Sequence, residues 1–354
     1  MERQSVNFLE KYVNTISPSG FEGDAARIWK DEADKFADRV RTDHHGNSFA
    51  VVNEGAEVRV MLAGHTDEIG ILVSQIDDNG FLFFNTIGGW DNQVLPGQRV
   101  RLKGTDGPVT GVIGRKPVHL INKEESKEVV KIENLWIDIG ARDKEHAQEL
   151  VEVGTPGVLD YSFNRLQDEL VVARGFDDKG GAFVVLEAAR KLSQLNPNVE
   201  VHAVATVQEE VGLRGAQTSA FGIDPHFGLA VDVGFATDTP MMKKERRKAG
   251  EIKVGKGPII TRGANVNPKL FDRLVQVAGE RDIPYQIASA PGGTGTDANA
   301  IQLTRSGVVT GLLSIPNRYM HSPCEVVSLR DLENISSLLA YSVEDLDPRD
   351  YIPF

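Results

Sequence analysis

Apolar positions recur along the 354-residue chain with two different periods. In residues 5–16 and 22–37 ("FLEKYV", "AARIWKDEADKFA") they return at helical spacing, which predicts two amphipathic helices at the start. "NSFAVVN" and "VRVMLAGH" follow as strands. The second is a nearly unbroken apolar run, the pattern of a central strand covered on both faces.

From about residue 70 to 165 the texture changes. "GILVSQIDDNGFLFFNTIGG", "GQRVRLKGTDGPVTGVIG" and "NLWIDIGA" are short β-rich runs broken by Gly, Asp-Gly and Pro, spaced like the hairpins of a small barrel or sandwich. The alternation of strand and helix resumes at "GFDDKGGAFVVLEAARKLSQL", a turn followed by a helix from about 180 to 195. Strands "VEVHAVATVQEE", "FGLAVDVG" and "VVTGLLSIP" then alternate with helices "NPKLFDRLVQVAGERD" and "SLRDLENISSLLAYSVEDL". This rhythm predicts an α/β fold, a mixed and largely parallel sheet with helices on both faces. The expected organisation is one α/β domain from residues 1–69 and 165–354, interrupted by an all-β insert at 70–164. No repeat or low-complexity tract is present.

Composition narrows the setting. Hydrophobic content of 40%, charged content of 25% and 35 glycines describe a globular chain with many turns. No stretch approaches the roughly 18 consecutive apolar residues of a membrane span, and "MERQSVNFLEKYVNTISPSG" lacks the apolar core of a secretory signal. The one cysteine, Cys324, forms no internal disulfide and builds no thiolate cage, so a reducing, cytoplasmic location is expected. A net charge of −12 argues against nucleic acid as a partner. The basic run "MKKERRK" (242–248) reads as a solvated, subunit-contacting loop.

Chemistry-bearing residues collect where the buried runs end. "VMLAGHTDE" ends in His65 and Asp67, and "ARGFDDKGG" turns with Asp177 and Asp178. "VATVQEE" ends in Glu209 and Glu210, "LAVDVG" delivers Asp232, and "LLSIPNRYMHSP" delivers His321. Ligands of open α/β sheets bind beyond the carboxyl ends of the strands. Each piece alone is ordinary, since a lone His-x-Asp is normally a turn and an Asp-Asp at a helix start normally a cap. Together they offer imidazole nitrogen and carboxylate oxygen without thiolate, a donor set suited to Zn²⁺, Co²⁺ or Mn²⁺. Carboxylates so crowded repel one another unless cations neutralise them, and one bridging carboxylate is the economical way to hold two ions ~3.5–4 Å apart.

"GHTDE", "GFDDKGG", "VQEEVGLRGA", "VDVG" and "MHSP", in this order and with a β-rich insert between the first two, resemble the dinuclear metal aminopeptidases of the tetrahedral (TET) type. That family includes glutamyl aminopeptidases and proteins labelled endoglucanase-like, and the likeness spans essentially the whole chain. It implies a zinc-exopeptidase-like α/β core with an inserted PDZ-like or barrel domain that dimerises, and assembly into a homo-oligomer, commonly a dodecamer enclosing a chamber. It implies two divalent ions per subunit (Zn²⁺ or Co²⁺, or else Mn²⁺) and peptide substrates trimmed from the N-terminus. Position by position, the resemblance makes His65 a ligand oriented by Asp67, and makes Asp177 the bridging ligand. Glu210, Asp232 and His321 complete the ligands, and Glu209 is the general base that moves a proton from attacking water to the leaving amine. The neighbouring glutamates thus divide labour.

Two other readings stay open at this stage. A deacylase or carboxypeptidase would use the same scaffold. An endoglucanase needs two carboxyls and no metal, which leaves His65 and His321 without work.

The remaining polar residues take plainer readings. Asp178 caps the following helix or makes a polar contact near the site, and Lys179 is a surface or ion-pairing side chain. The glycine-rich loop 288–303, with Thr294, Thr296 and Asp297, reads as a wall of the substrate pocket, since it has no Walker or Rossmann spacing. His44 and His45 lie in a turn, His119 and His146 at the surface and His226 in a loop. His202 is a satisfied core histidine and Cys324 a small buried side chain.

Overall fold

The computed structural model describes residues 1–122 and 127–353. Helices α1 (Arg3–Val13) and α2 (Gly23–Ala33) open the chain, followed by β1 (Arg39–Thr42), β2 (Ser48–Val52) and β3 (Arg59–His65). Next come β4 (Gly70–Ile76), β5 (Leu82–Ile87), β6 (Arg99–Gly104), β7 (Gly107–Arg115), β8 (Leu135–Asp138), α3 (Lys144–Leu150) and β9 (Pro156–Leu159). The next part holds β10 (Asn164–Arg165), β11 (Leu170–Ala173), α4 (Phe176–Leu195), β12 (Glu200–Thr206), α5 (Arg214–Ile223) and β13 (Phe227–Phe235). The chain continues with α6 (Lys243–Ala249), β14 (Ile259–Gly263), α7 (Pro268–Glu280), β15 (Gln286–Ala290), α8 (Asp297–Ile301), β16 (Val309–Asn317), β17 (Glu325–Ser328) and α9 (Leu329–Val343).

Among the described residues the largest sheet has eight strands in the order β1-β2-β12-β3-β13-β16-β14-β15. Its centre, β12-β3-β13-β16, is parallel. Antiparallel pairings at β1-β2, β2-β12 and β14-β16 flank it. The sheet is therefore mixed with a parallel middle. Register sets His65 opposite Thr206 and Asp232 opposite Ser314, so the carboxyl ends of the four central strands share one edge.

Helices cover both faces. Gly64 faces α4, whereas Gly228 faces Ile301 of α8; the pairing of Gly228 with Met61 makes these opposite sides of the pleat. Helix α4 is buried along most of its length and anchors the core with Trp29, Phe183, Leu186 and Leu338. Gly64 is what lets it come so close: a Cβ there would stand 2.4 Å from Ala182 N. The N-terminal turn of α4 consequently lies against the end of β3. Local signals fix the ends of several helices. Asn267 caps α7 by accepting from the Lys269 and Leu270 amides ahead of Pro268 at its start, and Ser328 accepts from the Arg330 amide at the start of α9.

The β-rich stretch closes into a six-stranded antiparallel barrel, β4-β5-β8-β7-β6-β9. Closure leaves no open sheet edge. The barrel holds a core of its own that includes Ile71, Val73, Leu82, Val100, Leu102 and Ile137. Polar contacts join it to the two opening helices. Arg101 donates to Asn14 O, just past α1, at 3.2 Å, and Lys103 Nζ lies 2.8 Å from Asp24 of α2.

Three details depart from the sequence reading. The basic run is a short helix, α6, rather than a loop; none of its residues is buried, so no apolar stripe marks it. "DKEHAQE" is also helical, as α3, with Asp143 accepting from the His146 amide. Helix α2 ends at Ala33 instead of continuing to residue 37. No helix among the described residues is long and apolar enough to cross a membrane.

Candidate metal centre

Residues far apart in the chain meet at the carboxyl edge of the parallel strands. His65 is the last residue of β3, and its Nε2 lies 3.2 Å from Asp177 Oδ1 and 3.8 Å from Glu209 Oε2. His321, in the loop after β16, brings its Nε2 to 3.2 Å from Asp177 Oδ2 and 3.3 Å from Glu210 Oε1. Asp177 thus turns one oxygen to each imidazole. Asp232, on β13, gathers with His65 and Asp178 so that their ligating atoms lie within 4.8 Å of one another; His65, Asp177 and Glu210 form a second set with the same limit. All seven residues singled out in the sequence are brought to this region.

Buried carboxylates hold the backbone of these residues. Asp67 accepts from the amides of Glu209 and Glu210 at 3.0 and 3.2 Å, and from Ser19 Oγ at 2.6 Å. Its contact with His65 runs mainly through the backbone: His65 Nδ1 is 3.1 Å from the Asp67 carbonyl oxygen and 3.4 Å from the carboxylate. Asp178 accepts from the Gly181 amide at 2.9 Å, as a cap would, and from the His65 amide at 3.1 Å. Glu325 accepts from Asp177 N at 2.9 Å and from His321 N at 3.2 Å.

The electrostatics show a site short of positive charge. Burial drives the Glu209 carboxyl up, and Asp232, Asp297 and Glu210 add to it against His65, so its pKa reaches about 10. Burial and neighbouring carboxylates also hold Asp178 and Asp232 well above the usual carboxylate range. Burial opposes ionisation of Asp177, yet hydrogen bonds from His321 and His65 outweigh it and bring the carboxyl to about 2. The Asp177 and Glu210 partners push His321 up to about 11. So many acids in one dry pocket ionise together only beside cations.

The donor set fits divalent metal. It is imidazole nitrogen and carboxylate oxygen throughout, as Zn²⁺, Co²⁺ and Mn²⁺ accept. Glu210 Oε1 is buried without a hydrogen-bond partner, although His321 Nε2 lies 3.3 Å away. A bound cation would satisfy a buried oxygen left in this way.

Sequence reasoning missed other polar residues around the centre. Lys179, read as a surface or ion-pairing side chain, is fully buried and takes the second role, joining Arg174 on the Glu68 carboxylate, neither of which the sequence pointed to. Glu325 was also passed over, although a carboxylate within the apolar run "CEVVSL" was a signal. In the glycine-rich loop Thr294 meets Asn265 and Thr296 at 2.8 Å each, while buried Asp297 accepts from Thr206 at 2.6 Å. The barrel closes in from the other side, since a Cβ on Gly89 would stand 3.3 Å from His321 Nδ1. His202 is buried with Nε2 2.6 Å from Glu200, but its Nδ1 has no partner, so it is only half satisfied. Cys324 is partly exposed rather than buried.

Comparison with known proteins agrees with this architecture. The sequence model of the M42 glutamyl aminopeptidase family matches residues 46–338. A lysyl aminopeptidase of Pyrococcus furiosus is 37% identical over 351 residues, covering 98% of each chain. The crystal structure of a TET aminopeptidase from a marine sediment archaeon, a thaumarchaeote, superposes with a TM-score of 0.93 at 37% identity, over 99% of this chain and 100% of that one. The TET1 peptidase of Pyrococcus horikoshii, which can assemble into a tetrahedron or a large octahedral shell, gives 0.85 at 34% identity, over 97% of this chain and 100% of that one. Fold and site together define a metal-dependent aminopeptidase, a hydrolase. The chain belongs to the M42 glutamyl aminopeptidase family.

Proposed function

We propose that this aminopeptidase works with two divalent ions, Zn²⁺ or Co²⁺ with Mn²⁺ as the alternative, held by His65, Asp177, Glu210, Asp232 and His321. The observation that carries the reading is Asp177, with one carboxylate oxygen 3.2 Å from each imidazole. Bound ions would polarise the scissile carbonyl and lower the pKa of attacking water.

The chain's own residues supply the rest. Glu209 is nearly sealed from solvent, with its Oε2 3.8 Å from His65 Nε2; beside bound cations its carboxyl would be ionised and free to take a proton. Its Oε2 takes a proton from water and hands it to the departing amine. Asp67 fixes the Glu209 and Glu210 backbone, so that one side chain serves the metal and its neighbour the proton. Glycoside hydrolysis would leave both imidazoles idle.

Residues 1–69 and 165–354 make up the catalytic unit in this reading, and 70–164 a dimerisation insert; Phe354 lies outside the described residues. The tetrahedral and octahedral shells of the TET1 peptidase support a homo-oligomer; in this reading the dimer is its building block and a tetrahedral dodecamer its form. A reducing, cytoplasmic location fits a chain whose single cysteine makes no internal disulfide. The test is a panel of aminoacyl p-nitroanilides and N-acyl amino acids, run before and after chelation. Hydrolysis of free-amine substrates that stops with chelator and returns with Zn²⁺, Co²⁺ or Mn²⁺ is expected. Preference for N-acyl substrates would favour a deacylase instead.

A further inference from the structure

Glu325 touches none of the reacting atoms, yet it is bonded to both residues that join the two halves of the centre. It is the first residue of β17, paired with Ala173 of β11, and its side chain is 2% exposed. Oε2 accepts from the amide of Asp177 at 2.9 Å and Oε1 from the amide of His321 at 3.2 Å. These residues belong to different parts of the chain, the start of α4 and the loop after β16.

The loop that carries His321 is tied at its base by the Arg318–Val326 bridge, with backbone bonds of 3.1 and 3.0 Å. Farther out, the amide of His321 itself is held by Glu325, and its backbone sits in the left-handed region at φ 57°. The spacing of 3.2 Å between Asp177 Oδ2 and His321 Nε2 therefore depends on one carboxylate spanning two amides. The His65 side is anchored differently, by Asp178 on the His65 amide.

We propose that Glu325 is a positioning residue that sets the Asp177–His321 separation and so selectively governs metal binding on the His321 side. The inference rests on the two-metal reading above. Glutamine at 325 keeps the shape but offers a single acceptor oxygen, and its NH₂ group would face an N–H. Aspartate keeps the charge but is too short to reach both amides.

Co²⁺ is the probe, followed by equilibrium dialysis and by its visible absorption in the wild type, Glu325→Gln, Glu325→Asp and His321→Ala, with thermal unfolding of each metal-free protein. The wild type is expected to take up two equivalents. Each Glu325 variant that folds should bind one of them about 10–100-fold more weakly, with the remaining spectrum matching that of His321→Ala. A folded variant with wild-type affinities and spectrum overturns the proposal. So does equal weakening of both equivalents, or failure of both variants to fold, since either makes Glu325 a purely structural carboxylate. A wild type that takes up no Co²⁺, or a His321→Ala protein that binds like the wild type, overturns the two-metal reading itself and this inference with it.

Discussion

Lys179 Nζ lies 2.7 Å from Glu68 Oε1, and both side chains are closed off from solvent. The same ammonium donates to the carbonyls of Val13 and Thr15, and Arg174 donates to the same carboxylate at 2.7 Å. The pair therefore ties the end of α1, the link from β3 to the barrel and the first turn of α4 beneath the metal centre. Removing one partner of a buried pair leaves a charge without compensation and costs about 3–5 kcal/mol. Lys179→Met should lower stability by about 3 kcal/mol, the lower end because Arg174 remains. Urea unfolding of the two proteins measures it, and an unchanged midpoint would rule out the brace.

Acid should release the same brace. Burial disfavours the Glu68 carboxylate, but Arg174 and Lys179 outweigh it and hold its pKa below the ordinary 4.5. As pH falls, the unfolded chain takes up this proton before the folded one does. The stabilisation is thus complete above pH 4.5 and is lost as pH drops towards the folded value. Urea midpoints collected against pH should fall more steeply below pH 4.5 in the wild type than in Glu68→Gln. Parallel curves would remove Glu68 from acid unfolding.

Glu209→Gln keeps the size of the side chain and removes its basicity. The expected result is a kcat lower by about 10²–10⁴-fold with metal content unchanged. Steady-state kinetics beside metal analysis by mass spectrometry separates the two effects. A variant that turns over at the wild-type rate would strip Glu209 of its role.

Asp177→Asn and His321→Ala should differ in metal count. The shared carboxylate faces both imidazoles. Its loss should empty both positions, whereas loss of His321 should empty one. Metal-to-protein ratios after dialysis check this, and equal ratios for the two variants would contradict the bridging role.

Gly89→Val tests the barrel's share of the site. Gly89 is exposed, so stability should hold, but the new Cβ would press on His321 at 3.3 Å. A displaced imidazole should lower kcat/KM by about tenfold or more. Full activity in this variant would mean that the loop yields freely.

The part of the site that could be read from the sequence is the part that follows from local order. A buried parallel strand is an apolar run, its carboxyl end faces the ligand edge, and so His65, Glu209, Glu210 and Asp232 announce themselves where the runs stop. What holds them in place is not set by local order, even where, as at Asp67 and Glu325, the residue itself stands at or in an apolar run. Glu325 grips an amide 148 positions away, and Asp67 grips one 142 positions away. Lys179 reads as a surface or ion-pairing side chain, and only the carbonyls of Val13 and Thr15, with Glu68, show which. Helix α6 escaped for the opposite reason, since a helix with no buried face has no periodicity to detect.

The glycine corner at the end of β5 has a consequence for how such enzymes can be rebuilt. Gly89 lies in the insert just past β5, yet it stands close against the imidazole of His321, from the loop after β16. A chain pruned of its insert would keep every donor side chain and still lose a wall of its reaction chamber. Grafting a foreign barrel onto this scaffold would succeed only if the graft carried an equally slender corner to the same spot.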